Sequence, residues 1–136
     1  MRKMLLLLFV ILTAISWNDG KEIDAGLTYN NFVGVWENEN DETRSFPKCE
    51  IRYEENRFYV HIWGACVPQY CDWGETPSEK LDENTTKFVV NWDQGFVKRT
   101  QILELKEGKL ILTTNSHYKD DSGRPDSSIV DTFTKK

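Results

Sequence analysis

The chain is poor in the residues that carry most covalent and metal chemistry: its 136 positions hold two histidines and three cysteines. His61 and His117 lie far apart, and Cys66 and Cys71 are the one close cysteine pair. A structural zinc site draws on two sets of closely spaced ligands, so the pattern for one is missing. There is no G-x-S-x-G elbow, no H-E-x-x-H and no phosphate-cradling glycine loop. A Cys–His nucleophile pair from Cys66 and His61 requires Cys66 to be a free thiol. Asp120 to Asp126 lacks the alternating ligands and distal Glu of an EF-hand. It reads as a polar turn in which Asp121 and Arg124 hydrogen-bond. The expectation is therefore a non-enzyme with no catalytic residue, no metal and no cofactor.

Long apolar runs are equally scarce, and the one that exists opens the chain. Met1-Arg2-Lys3 precedes a stretch from Met4 to Ile15 interrupted by Thr13 alone. Twelve residues make a helix of roughly 18 Å at about 1.5 Å each, too short for a bilayer core of roughly 30 Å. With small Ala14 and Ser16 at the cleavage positions, residues 1–16 read as a secretory signal peptide. No cysteine follows to take a lipid. The expected location is secreted or periplasmic, with no membrane insertion after cleavage. The remaining chain holds 15 Lys+Arg against 22 Asp+Glu, near −7. Such a surface repels phosphate backbones, so nucleic acid is not an expected partner.

Residues 17–31 read as a flexible N-terminal arm, and 32–136 as one domain. Helical periodicity is almost absent there. Short β-branched and aromatic runs alternate with turns: Phe32–Trp36, Cys49–Glu54, Arg57–Trp63, Lys87–Trp92, Phe96–Leu105, Leu110–Thr114 and Ser128–Phe133. An eighth short strand after Cys71 would complete the set. Glu55-Asn56, Asp93-Gln94-Gly95 and Lys106–Lys109 are tight turns that join neighbours antiparallel. Closing such a meander removes its edges. The predicted fold is all-β, a small antiparallel up-and-down β-barrel of seven to eight strands, favoured over a sandwich.

The segment from Trp63 to Gly74 concentrates the unusual residues. In an oxidising compartment Cys66 and Cys71 are expected to form a disulfide, while Cys49 is left as a buried thiol. The bridged loop would hold Trp63 and Trp73, which either cap the barrel or line a pocket mouth. Tyr59, His61 and Trp63 share one face of their strand and Phe58, Val60 and Ile62 the other. Tyr59, His61, Trp63 and Trp73 are accordingly the candidate ligand-binding residues.

Gly34-Val35-Trp36 resembles the Gly-x-Trp opening of calycins, the lipocalin and avidin group, and Phe88–Trp92 and Asp131–Thr134 resemble late strands of avidin-type barrels. The resemblance implies a calycin-like barrel with a cavity at one end and Trp36 packed at the closed end. The residues that hold biotin in avidins find no position-by-position match, so biotin is not implied. The segment His61–Gly74, with Asp121–Arg124, also resembles an uncharacterised family of small exported, mostly bacterial proteins. Its Trp-Gly-x-Cys-x-Pro-x-x-Cys-x-Trp-Gly core carries no established activity. Two expectations follow. One is an exported barrel binding a small apolar or amphipathic ligand. The other is an envelope structural or protein-interaction module without a ligand cavity.

Overall fold

The computed structural model describes residues 29–82 and 85–136. The expected signal peptide and residues 17–28 of the expected arm lie outside the described residues. Eight strands form one sheet: β1 (Gly34–Asn38), β2 (Lys48–Glu54), β3 (Arg57–Gly64), β4 (Cys71–Pro77), β5 (Lys87–Asp93), β6 (Val97–Lys106), β7 (Lys109–Tyr118) and β8 (Ser127–Lys135). Each pairs antiparallel with its sequence neighbour up to β4 and again from β5, and β1 pairs with β8. The sheet thus curls into a nearly closed up-and-down barrel. Along its seam between β4 and β5, Ser78, just past β4, bridges Val90, and the Thr76 hydroxyl donates to the Asn91 carbonyl at 3.1 Å. The eighth strand is β4.

Local chemistry explains the hairpins. Glu55 and Asn56 both take positive φ (49° and 62°), as do Glu107 and Gly108 (53° and 76°). Two successive left-handed residues give the turn whose twist matches that of the strands it joins. Period-two alternation then sorts the side chains. In β3, Phe58, Val60 and Ile62 are fully buried while Tyr59, His61 and Trp63 remain partly exposed. In β5, Phe88, Val90 and Trp92 turn inward.

The two ends of the barrel differ. At one end the short β2–β3 and β6–β7 turns lie beside the entry segment before β1. Trp36 is buried there, its indole N–H donating to the Phe32 carbonyl at 2.8 Å. Phe32 packs on Phe58 and Phe88 at ring separations of 5.1 and 5.2 Å. Tyr29, from the end of the expected arm, is buried and stacks on Tyr53 at 5.0 Å. With Leu103, Leu110, Leu112 and Phe133, the rings of Tyr29, Phe32, Trp36, Phe58 and Phe88 fill this end of the interior. The loops β1–β2, β3–β4, β5–β6 and β7–β8 gather at the opposite end, where the interior lining becomes polar.

Candidate functional site

At this loop end the barrel opens into a cleft of about 460 Å³. Its apolar wall comes from Phe46 on the β1–β2 loop, Trp73 on β4 and Ile129 on β8. Trp73 meets Phe46 edge-on at 4.9 Å and Trp92 at 5.9 Å. The close approach of β3 to this ring requires glycine at position 64: a Cβ there would stand 2.9 Å from the Trp73 indole nitrogen.

The deep side is polar. Asp131, 8% exposed, projects inward from β8 two residues from fully buried Phe133. Its Oδ1 accepts from the Asn38 amide at 3.0 Å and from the Ser45 hydroxyl at 2.6 Å. The Asn38 amide also donates to the Phe46 carbonyl at 2.9 Å, which ties the loop to the barrel floor. Asp131 Oδ2 is buried and, among the described residues, has no hydrogen-bond partner. Buried polar atoms are rarely left so, and a missing bond to a carboxylate costs about 1–3 kcal/mol or more. Beside it Gln101, fully buried, accepts from the Trp92 indole at 2.8 Å and donates to Thr114 at 3.3 Å. Thr114 and Ser116 line the cleft above this relay.

At the rim, Arg99 lies over the Trp73 ring at 5.0 Å, donates to the Ser116 hydroxyl at 3.2 Å, and donates to the Gln94 side-chain oxygen. Arg44, on the β1–β2 loop, also lines the cleft. A second recess, about 440 Å³, lies on the outer wall among Lys98, Thr100, Asn115 and His117. Its lining is polar, and among the described residues no unpaired buried group faces it.

Of the four expected binding residues, the structure brings only Trp73 to the cleft. Tyr59, His61 and Trp63 lie on the outer face of β3. The Arg52 guanidinium covers Tyr59 at 4.1 Å, His61 stacks flat on Trp63 at 4.0 Å, and Lys48 also lies over the Trp63 ring at 4.5 Å. His61 Nε2 meets Asp72 Oδ1 at 2.5 Å, and the same oxygen accepts the Gly74 amide at 2.7 Å. The Gly74 amide and His61 together hold the Asp72 carboxyl below its ordinary range. These two contacts bracket Trp73 and set its ring against the cleft.

Cys66 and Cys71 form a disulfide across 5.4 Å between Cα atoms, compatible with an oxidising, extracytoplasmic compartment. Cys49 is a buried free thiol. In the β7–β8 turn Arg124 pairs with Asp120 at 2.8 Å rather than with Asp121, and it stacks on Tyr118 at 4.1 Å. Asp120 is better placed because the Ser122 amide and hydroxyl turn its carboxylate back into the loop.

Asn38, Ser45, Asp131, Arg44 and Arg99 were not among the expected site residues. A signal existed for one of them: strand alternation puts Asp131 on the face of Phe133, an acidic residue at an inward position. No family model, curated protein or solved structure matches this chain.

Proposed function

We propose that this is an exported, calycin-like binding protein whose barrel takes a small amphipathic ligand at its loop end. The reading rests above all on the buried, unpartnered Oδ2 of Asp131 beside an apolar wall. Concave sites lined by apolar groups with a few placed polar atoms are the usual form of small-molecule sites. A ligand offering an N–H donor, as an amine, amide, lactam or urea does, supplies the missing bond. Its apolar body then lies against Phe46, Trp73 and Ile129. The filled base of the barrel restricts the ligand to the upper part of the interior, so a long acyl chain running the whole axis is disfavoured.

Fluorescence titration with N-phenyl-1-naphthylamine, which carries one N–H on an apolar body, tests the reading. A panel of amides and cyclic ureas, biotin included, competes for the same site. Saturable binding is expected. It should weaken by roughly 10- to 100-fold in Asp131→Asn, which puts a donor where the acceptor stood. It should be abolished in Ile129→Trp, which fills the cleft. Binding that is absent, or equal in all three proteins, rejects the proposal.

A further inference from the structure

The charges around the cleft point to one end of its ligand. The chain carries more acid than base, with a formal net charge of −5. Some of its cations are engaged by carboxylates: Arg52 by Glu54 and Glu75, Lys119 by Asp93, Lys109 by Glu39, Arg124 by Asp120, Lys136 by Glu37. Arg44 and Arg99 are not among them, and both line the cleft. Among the described residues neither has a carboxylate within ion-pair distance. Arg99 is instead held by neutral groups, the Ser116 hydroxyl, the Gln94 amide oxygen and the Trp73 ring. These partners orient a guanidinium without cancelling its charge.

The ladder sets the spacing. Asp131 stands opposite Leu112, and Leu112 opposite Leu103. Arg99 lies four residues nearer the mouth along β6, about 13 Å at ~3.3 Å per residue. Asp131 is the one carboxylate among the cleft's lining residues. The cleft therefore has an acceptor at its floor and uncompensated cations at its mouth.

We propose that the ligand carries an oxyanion at its outer end, a carboxylate, sulfonate or phosphate, read by Arg44 and Arg99. This rests on the reading of the cleft as a ligand site. Guanidinium is suited to the role, since it presents paired donors and binds oxyanions more strongly than neutral acceptors.

Two dyes that differ by a single group separate the possibilities. 6-Anilinonaphthalene-2-sulfonate has the body and N–H of N-phenyl-2-naphthylamine, with a sulfonate added at the end of the ring system opposite the N–H. In the unsubstituted protein at low salt the sulfonate should improve affinity by roughly tenfold, shrinking as ionic strength rises. In Arg44→Gln/Arg99→Gln the ratio of the two affinities should fall towards one. Because the result is a ratio, any change the substitutions make to the cleft for both dyes cancels. Equal affinity of the unsubstituted protein for the two dyes overturns the inference while leaving the ligand site standing. A sulfonate preference that survives in the double variant does the same. Failure of both dyes to bind overturns the ligand site and this inference with it.

Discussion

Burial shifts the Cys49 thiol upward, whereas hydrogen-bonding partners shift the surface acids downward. Cys49 has no solvent exposure, and desolvation, with Glu50 beside it in sequence, pushes its thiol far above the ordinary value. A thiol that neither ionises nor meets solvent is unreactive. Ellman's reagent should find no thiol in the native protein and one after denaturation without reductant. Three should appear after reduction, and a count other than one before reduction would refute the pairing. The acids stay exposed and are shifted by their partners. Glu75 is held low by Arg52, Asp93 by Lys119 and Asp120 by Ser122, as Asp72 is by Gly74 and His61. Their ordinary values are 3.8 for aspartate and 4.5 for glutamate. A carboxyl whose folded value lies below its unfolded value is protonated first in the unfolded chain as pH falls. The stability these groups provide is thus whole above their ordinary values and is lost as pH drops through the depressed ones. The urea midpoint should decline below about pH 4.5, and Asp72→Asn with Glu75→Gln should flatten that decline.

At the scale of elements, β3 and β4 act as one unit. The register shifts between His61 and Trp63, where β4 bulges, and that shift brings Trp73 over Gly64. Gly64→Ala places a methyl where the indole lies, so the ring must swing away. Such a clash costs about 1–3 kcal/mol. The variant should show a changed tryptophan emission spectrum and weaker dye binding. An unchanged spectrum would contradict this packing. β4 was the hardest strand to read because Gly74 and Pro77 interrupt its alternation and Asp72 and Glu75 give it a loop's composition. β2, β3, β5 and β7 were legible because their inward positions are consistently apolar at the closed end.

For the molecule as a whole, the division into a filled base and an open mouth predicts unequal tolerance to truncation. Leu112 is fully buried in the base, whereas Ile129 is 46% exposed on the cleft wall. Leu112→Ala should cost about 2–5 kcal/mol in urea unfolding, because the site cannot collapse around the void. Ile129→Ala should cost within about 0.5 kcal/mol, as exposed positions usually do. Similar losses at the two positions would contradict the division.

Sequence alone determined the strand content, the hairpin turns, the close cysteine pair and the barrel class, since each depends on neighbours a few residues apart. Period-two alternation and turn chemistry are local, and local patterns survive in one dimension. The cleft was decided by closure. Asn38, Ser45, Trp73, Arg99 and Asp131 come from the β1–β2 region, β4, β6 and β8, and meet only when β1 pairs with β8. On β8 the hydrophobic pattern is divided, with Ile129 and Phe133 on one face and Val130 on the other: Asp131 is buried while Val130 is 64% exposed. Alternation groups Asp131 with Ile129 and Phe133, and the register of the strand against β7 and β1 turns that face inward.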